Sequence, residues 1–559
     1  MGFSSGWYKY SALVLLPFVV GQAFAADVFV DLPITNAVVA PDGFLRSVIQ
    51  AGTFPGTNIV AMKGDTLHIN VSNHLVDPTM RRSTSIHWHG LFQDRTASED
   101  GPAFVNQCPI APNASYQYNF GLGDQTGTYW YHSHLSTQYV DGERGTLVIY
   151  THLRRSDPND PQKSLWDVDD ASTIITLADW YHTPAEQLMA QFKQDGHEPV
   201  PASGLFNGVG RYKGGPAIRW AVVNVVAGKR FRIINISAFA AYTFSVDNHV
   251  FNVIETDGIA TVPLTVSSFE IHAGTRFSIK FMIQLTANQP VNNYWMRAPM
   301  TVAGSSSILD KENVKGILRY AGAPAKDPST SATISPVALD GGGSASMLQE
   351  FQLATLINPG APGGSAPADH VIDLDFDTAG NGIWEINGIV YTPPDLPTLL
   401  KIINGATVAS DFTVSEHTFI LQQNEVVELR IHGSDHGITH PFHLHGHAFD
   451  VVQSASGPVN YKNPPRRDVV AVEQGGVVIR FRADNPGPWF LHCHIDFHLE
   501  AGLAVVFAEA PAAQRTGPFA QIIPPKWLDL CPAYNALDPC KLLLFQSHLS
   551  ESHTSVFAV

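Results

Sequence analysis

Closely spaced histidines are the most distinctive chemical feature of the sequence. Four short segments hold ten of the 24 histidines of the 559-residue chain. A strand places residues i and i+2 on the same face, so each His-x-His pair can offer two imidazoles to one side. Buried core histidines would each need a separate hydrogen-bond partner, so a shared metal cluster is the simpler interpretation. The segments are His87-Trp88-His89, His132-Ser133-His134, His440-Pro441-Phe442-His443-Leu444-His445, and His492-Cys493-His494 followed by His498.

Side-chain alternation along a strand divides these residues into two groups. The thiol of Cys493 points away from its two flanking imidazoles and must therefore serve a different metal. His443 and His445 share a face, whereas His440 is three residues away and can face the other side. The first group is His440, Cys493 and His498, and His498 lies beyond the strand, where this alternation no longer applies. The second group is His87, His89, His132, His134, His443, His445, His492 and His494.

The two donor sets indicate copper. Two histidines and one cysteine are the ligand set of an electron-transfer blue copper centre. Eight neutral imidazoles without carboxylates also suit copper, and they can hold more than one ion. Cys493 is covalently adjacent to His492 and His494. Electrons that enter at the single copper would therefore have a short bonded path to the cluster.

Short strands must position these residues, because no stretch of the body has the pattern of a long amphipathic helix. Runs of β-branched and aromatic residues recur between clusters of Gly, Pro and Asn, which predicts antiparallel β-sandwiches. We divide the chain into a first block (26–151), a second block (152–320) and a third block (321–540). A segment rich in Pro, Gly, Ser and Ala (321–369) leads into the third block, and the tail 541–559 has no assigned role.

Composition and the chain ends indicate a secreted, soluble protein. The net charge of −16 argues against nucleic acid or an anionic membrane as the main partner. Residues 1–25 are typical of a secretory signal, with an apolar run shorter than the ~20 residues of a membrane span and a small-x-small end at Ala23-Phe24-Ala25. Sequons at Asn70 and Asn113 predict glycosylation. A third sequon, at Asn235, lies in an apolar strand and is not expected to be used.

At these motifs the chain resembles the multicopper oxidases, specifically fungal laccases of the basidiomycete type. The resemblance covers most of residues 26–539. It implies an all-β fold of three consecutive cupredoxin-like Greek-key sandwich or barrel domains. The implied activity is one-electron oxidation of phenolic or aromatic substrates coupled to reduction of O₂ to water, in a monomer with four copper ions. The matching segments are 87–90, 100–103, 107–110, 127–145, 440–447 and 487–507.

Three alternatives stay open at this point. Ferroxidases and ascorbate oxidases share the copper framework, and a cupredoxin protein could bind copper without turnover. Intact ligand positions argue against the non-catalytic alternative, and the tail lacks the C-terminal span expected of a membrane-tethered ferroxidase.

The resemblance also assigns individual roles. Asp100 matches an acid that assists proton supply during O₂ reduction, Asp496 is a further candidate for ligand orientation or proton transfer, and His447 matches no ligand position. His498 corresponds to the ligand that accepts the substrate electron. The type 1 ligands are His440, Cys493 and His498; the type 2 ligands are His87 and His443; the type 3 ligands are His89, His132 and His494 on one copper and His134, His445 and His492 on the other.

Two departures concern the metal site and the cysteines. The type 1 axial position holds Leu503, and no methionine follows Met347, which predicts a higher potential than that of a methionine-ligated site. Resemblance pairs Cys108 with Cys531. The family's second disulfide would join positions that here hold Val140 and Ala238, and Cys540 is left as the expected free thiol.

The third departure concerns the substrate pocket. Related laccases carry an acid at the position of Phe239, where it accepts a hydrogen bond from the phenol. Phe239 cannot accept this proton, so the sequence predicts weaker preorganisation of phenols and a more apolar pocket. Asp247 is a neighbouring acid that could compensate.

Overall fold

Strands dominate the chain. The computed structural model describes residues 25–151, 162, 164–166, 168–225, 229–282, 292–302, 309–332, 335, 337–339, 343–433 and 437–537. These residues form 34 strands and five short α-helices, the longest of 11 residues. The prediction of an all-β chain is therefore confirmed. The predicted secretory signal through residue 24, Cys540 and the tail 541–559 lie outside the described residues.

The first block folds into two four-stranded sheets, with strand orders β2-β1-β4-β6 and β3-β8-β7-β5. In β4 the burial alternates along the strand, and Leu67, Ile69 and Val71 are fully buried on one face. This period of two is the pattern expected of a sandwich strand. The strands are β1 (Asp27–Val39), β2 (Arg46–Ala51), β3 (Ile59–Met62), β4 (Thr66–Asn73), β5 (Ile86–His89), β6 (Ser115–Gly121), β7 (Gly127–Ser133) and β8 (Arg144–Tyr150).

The second block forms a seven-stranded sheet (β11-β10-β9-β13-β18-β15-β16) and a six-stranded one (β12-β21-β19-β14-β17, with β20 beside β14). A separate apolar core fills the space between them. The strands are β9 (Ile174–Trp180), β10 (Ser203–Phe206), β11 (Val209–Gly210), β12 (Val222–Val225), β13 (Arg230–Asn235), β14 (Ala241–Val246), β15 (Val250–Thr256), β16 (Ile259–Val266), β17 (Ser268–Ile271), β18 (Arg276–Met282), β19 (Asn293–Arg297), β20 (Met300–Thr301) and β21 (Lys315–Tyr320).

The third block forms a six-stranded sheet (β25-β24-β27-β32-β29-β30), a five-stranded sheet (β26-β34-β33-β28-β31) and a small β22-β23 pair. The five-stranded sheet carries two of the histidine segments. The strands are β22 (Val337–Ala338), β23 (Ser344–Ala345), β24 (His370–Gly380), β25 (Ile383–Ile386), β26 (Thr418–Leu421), β27 (Val426–His432), β28 (His440–Leu444), β29 (Phe449–Gln453), β30 (Arg466–Arg467), β31 (Val469–Val472), β32 (Val477–Arg482), β33 (Pro488–Cys493) and β34 (Ala504–Glu509).

The α-helices connect strands rather than form a layer. Among the described residues, none of them has the length and apolar character needed to cross a lipid bilayer. The helices are α1 (Ala185–Asp195), α2 (Thr398–Ile403), α3 (Asp496–Glu500), α4 (Pro525–Leu528) and α5 (Leu530–Asn535).

The first and third blocks share one continuous apolar core. A disulfide between Cys108 and Cys531, 423 residues apart, also joins them, and this is the pairing that the resemblance implies. At the positions of the missing disulfide, Val140 and Ala238 are both buried. The backbone N–H of Ala238 donates to Asp179 at 3.0 Å, so hydrogen bonding holds this loop in the absence of a disulfide.

Buried acids give the fold a pH-dependent stability. Burial raises the pKa of Glu143 from 4.5 to about 8, and among the described residues the only donor to its carboxylate is the Thr84 hydroxyl, at 2.5 Å. The folded state therefore keeps a proton that the unfolded chain releases, and stability falls as pH rises between about 4.5 and 8.

We expect Glu143→Gln to flatten this dependence, because the amide stays neutral at every pH. The measurement is the melting temperature at several pH values across that window. Glu312→Gln, at an exposed position, is the matched control and should retain the wild-type slope. Equal slopes for Glu143→Gln and the wild type would contradict the assignment.

Candidate metal centres and substrate edge

Two strands and a helix bring the first donor group together. Antiparallel pairing of β28 with β33 sets Phe442 opposite Cys493, and the first turn of α3 supplies His498. Sγ of Cys493 lies 3.6 Å from Nδ1 of His440 and 3.8 Å from Nδ1 of His498. The two imidazole nitrogens lie 3.2 Å apart, and all three residues are buried. Three donors this close around one point suit a single metal ion.

An apolar wall surrounds this three-residue site. Leu503 is fully buried, and its backbone contacts both ligand segments: its carbonyl accepts from Cys493 N at 3.1 Å and its N–H donates to the His498 carbonyl at 3.0 Å. The Trp384 ring lies 4.8 Å from the His440 ring and 4.7 Å from the His498 ring. Residue 503 is therefore adjacent to both ligand segments, and a leucine side chain cannot supply a ligand atom.

We expect Leu503→Met to lower the reduction potential of this centre, because a thioether at the axial position donates electron density that a leucine cannot. Redox titration of the blue absorption would measure the change. Leu503→Ile keeps the hydrocarbon character and should change the potential less. A methionine variant with an unchanged potential would show that residue 503 does not set the axial environment.

The second donor group forms a cluster between the first and third blocks. His87 and His89 lie on β5, His132 lies opposite His87 on β7, and His443 pairs with His492 across β28 and β33. Three sets of donor nitrogens each lie within 4.8 Å of one another, and every member is buried. These sets are His87, His443 and His445; His87, His89 and His132; and His134, His445 and His492.

Individual contacts extend the cluster to all eight imidazoles. Nε2 of His443 lies 3.4 Å from Nε2 of His87, and Nε2 of His445 lies 3.1 Å from Nε2 of His492. His494 Nε2 lies 3.2 Å from His89 Nδ1. Ring nitrogens this close to one another, all within one buried cluster, can act together as ligands of shared metal ions.

Burial sets the protonation states that metal binding requires. Burial lowers the pKa of His89, His132, His134, His443, His445 and His494 far below the ordinary value, and that of His492 to about 3. These imidazoles are therefore neutral ligands at physiological pH. Burial raises the pKa of the Cys493 thiol, so its thiolate is stable only when a cation binds it. Both donor sets fit copper, with soft thiolate in one and imidazoles in the other.

Asp100 orients two cluster imidazoles. Its Oδ2 lies 2.9 Å from Nδ1 of His445, and its backbone carbonyl lies 2.8 Å from Nδ1 of His87. When Nε2 binds a metal, Nδ1 carries the proton and donates it to these oxygens. The side chain is fully buried, and burial raises the pKa of Asp100.

Asp496 lies next to cluster histidines that Asp100 does not contact. It lines a small enclosed space together with Tyr139, His132 and His494. Burial raises its pKa well above the ordinary value, and its Oδ2 has no hydrogen-bond partner within the described chain. His447, which the resemblance leaves without a ligand role, instead forms a buried ion pair with Glu509 at 3.0 Å.

The acid next to His498 is not one that the sequence predicted. The Phe239 ring is buried and lies 6.2 Å from the His498 ring. Asp247 does not compensate for the missing acid, because it is fully buried and both its carboxylate oxygens accept from Arg297, at 2.7 and 2.9 Å. The acid that contacts His498 is instead Glu198, with Oε1 at 2.8 Å from Nε2 of His498.

Sequence reasoning missed Glu198. It lies in the connection between α1 and β10, 300 residues before His498, and its side chain is 12% exposed. Its Oε2 has no hydrogen-bond partner among the residues that the structure describes. The only available indication was an acid in a short Pro-flanked loop next to an apolar strand, and that pattern is too common to single out one residue.

The predicted glycosylation sites differ in accessibility. Asn113 is exposed and Asn70 is half-buried, with its amide donating to Asp31 at 3.2 Å. Asn235 is fully buried, and its amide donates to the Ala240 carbonyl at 2.8 Å. The expectation that Asn235 is not used as an acceptor therefore agrees with its burial.

Comparison with known proteins agrees with this fold and these donor sets. Three family models described as multicopper oxidase match residues 34–153, 171–323 and 391–513. The crystal structure of a laccase from Botrytis aclada is 30% identical with a TM-score of 0.78, and the alignment covers 94% of this chain and 95% of that one. Fet3p, a multicopper oxidase that functions in iron import, is 29% identical with a TM-score of 0.77, over 91% of this chain and 95% of that one. The chain belongs to the multicopper oxidase family, and its three cupredoxin-like domains are confirmed.

Relatives with higher sequence identity show which group within that family the chain resembles. Laccase-4 of Thanatephorus cucumeris is 52% identical over 518 residues, which cover 90% of this chain and 94% of the relative. Laccase-1 of Agaricus bisporus is 47% identical over 536 residues, with coverage of 95% and 99%. The group that this chain resembles within the multicopper oxidases is therefore the fungal laccases.

Proposed function

We propose that this chain is a secreted laccase with four copper ions. It oxidises phenolic or aromatic substrates by one electron at the His440–Cys493–His498 site and reduces O₂ to water at the eight-histidine cluster. His87 and His443 hold the type 2 copper; His89, His132 and His494 hold one type 3 copper; and His134, His445 and His492 hold the other. The domains are residues 26–151, 152–320 and 321–540, and the enzyme acts as a monomer.

The observation that carries this proposal is the position of Cys493. Its Sγ belongs to the three-residue site, while its neighbours His492 and His494 belong to the cluster. The two centres are thus joined through the backbone of one strand end. Copper supplies one-electron chemistry at both centres when bound. The chain supplies the short covalent route that allows oxidation of one substrate to be coupled to reduction of another.

At the substrate end, Glu198 and His498 act together. With a metal on Nδ1, Nε2 of His498 carries a proton and donates it to Oε1 of Glu198. Oε2 is buried and has no partner among the described residues, so a phenolic hydroxyl that reaches it would satisfy it as a donor. A phenol becomes much more acidic as it loses an electron, so Glu198 takes the proton while the electron passes to His498. Phe239 and Phe192 are buried, and their rings lie 6.2 and 6.1 Å from that of His498, so the surroundings of this imidazole are apolar.

At the oxygen end, Asp100 and Asp496 hold protons close to the cluster. Both are buried and have raised pKa values, so they retain protons at a pH where exposed carboxyls would be ionised. Reduction of O₂ to water consumes protons at this point. We propose that Asp100 also keeps His445 and His87 oriented, and that Asp496 delivers protons beside His132 and His494.

The test is oxygen consumption by the copper-loaded enzyme with a diphenol, ascorbate or Fe(II) as the electron donor. We expect the diphenol to give the highest kcat/KM, with four one-electron oxidations for each O₂. A higher kcat/KM for ascorbate or Fe(II) would instead favour one of the other oxidase activities. No oxygen uptake with any donor would indicate a copper-binding protein without turnover.

A further inference from the structure

One cluster imidazole is oriented differently from its neighbours. Six cluster histidines turn Nδ1 outward, to within hydrogen-bond distance of a carbonyl, carboxylate or hydroxyl oxygen. His89 is reversed: its Nδ1 faces His494 inside the cluster at 3.2 Å, and its Nε2 points outward. An imidazole reversed in this way needs a separate outward acceptor, because a different nitrogen now carries the proton.

Asp468 is that acceptor. Its Oδ1 lies 3.3 Å from Nε2 of His89, and its backbone carbonyl lies 2.9 Å from Nδ1 of His443. One residue therefore contacts an imidazole from the first block and an imidazole from the third. The carboxylate is almost fully buried, so its own position must be fixed by a strong partner.

Arg276 fixes this carboxylate from the second block, whose described residues supply no ligand to the cluster. Its two terminal nitrogens donate to Oδ1 and Oδ2 of Asp468 at 2.5 and 2.7 Å, a bidentate arrangement that sets the carboxylate plane. Its Nε donates to the Thr128 carbonyl of β7 at 3.0 Å, and the side chain is fully buried. Arg276 on strand β18 therefore forms hydrogen bonds with both the first and the third block next to the cluster.

Gly90 gives independent support. It follows His89 with φ of +88°, and a Cβ atom there would lie 2.6 Å from Oδ2 of Asp468 and 2.7 Å from a terminal nitrogen of Arg276. The ion pair therefore packs directly against the backbone that carries His89. A side chain at residue 90 would displace the pair and the imidazole together.

We propose that Arg276 and Asp468 are positioning residues for the copper cluster. Asp468 holds His89 with Nδ1 turned inward, and Arg276 holds Asp468. This inference rests on the proposed function for the identity of the metal. The second block thereby takes part in O₂ reduction by setting the geometry of a ligand on another block.

The test compares copper retention by Arg276→Lys and Asp468→Asn with that of the wild type. Lysine keeps the charge but cannot form the bidentate pair. We expect both variants to hold cluster copper about 10–100-fold more weakly, the usual cost of losing such an outer partner. Copper per chain is measured against a competing chelator, and the near-ultraviolet absorption of the coupled copper pair is followed separately from the blue absorption of the single copper, which should persist.

Two further variants make the result decisive. Arg297→Lys breaks a bidentate pair with Asp247 in the same block, away from the cluster, and should keep full copper content. Gly90→Ala keeps both charges and should still weaken copper binding by the cluster. It provides a second test of the inference if Arg276→Lys does not fold. Wild-type copper retention in Asp468→Asn and Gly90→Ala, or equal loss in Arg297→Lys, would overturn the inference. Failure of the wild type to consume O₂ with a diphenol would contradict the proposed function and leave this copper measurement valid.

Discussion

Glu198→Gln is expected to lower kcat/KM for phenols by about 100-fold, the lower end of the effect of a positioned general base. Glutamine can still accept from Nε2 of His498, so the imidazole keeps its orientation. It cannot take a proton from the phenol, so the electron must leave before the proton. Non-phenolic dyes lose no proton on oxidation and should keep their rates. The measurement is steady-state oxidation of a phenol and a dye at the same pH.

A control variant and a rescue variant accompany this test. Asp195→Asn removes an exposed acid at the end of α1, close to the same loop, and should leave both substrates unaffected. Phe239→Asp in the Glu198→Gln background returns a carboxylate from the other side of His498 and should restore part of the phenol activity. If Glu198→Gln lowers dye and phenol oxidation equally, Glu198 acts on the metal site rather than on the phenolic proton.

Cys493→Ser is expected to eliminate the blue absorption and to lower phenol oxidation by about 10⁴-fold or more, as when one member of an interdependent set is lost. A hydroxyl at this buried position stays protonated and is a poor copper ligand. The eight imidazoles of the cluster are untouched, so most of the copper should remain bound. Elemental analysis combined with absorption spectra would separate these two effects.

Leu503→Ala is the appropriate comparison for Cys493→Ser, because it opens space at the same site without removing a ligand. It should retain the blue absorption and measurable turnover. Persistent phenol oxidation by a Cys493→Ser variant that lacks the blue absorption would mean that electrons reach the cluster by another route.

Strand periodicity explains why most of the donor geometry could be predicted. Parity within His492-Cys493-His494 separates the thiol from the imidazoles, and it needs only the assumption that the segment is extended. His498 lies beyond β33 in the first turn of α3, where parity gives no information, so strand periodicity alone did not predict its position beside Cys493.

The unpredicted contacts all come from distant loops and strands. Glu198 meets His498 across 300 residues, and Asp468 meets His89 across 379. Asp247, the acid that lies near Phe239 in sequence, is instead held by Arg297 in the second block. An acid that is close to a site residue in sequence can lie far from it in the fold, because successive strands belong to different sheets. Sequence distance therefore does not predict which acid contacts the site.

The cluster histidines come from two distant parts of the chain, and this separation determines when during synthesis the cluster can form. His89 and His494 face each other across 405 residues, and Cys108 bonds to a cysteine 423 residues later. At 5–20 residues per second, a ribosome needs about 20–80 s to synthesise the chain between these two histidines. Until the third block is synthesised, His87, His89, His132 and His134 have no partners from it. The complete cluster therefore forms only after nearly all of the chain has been made.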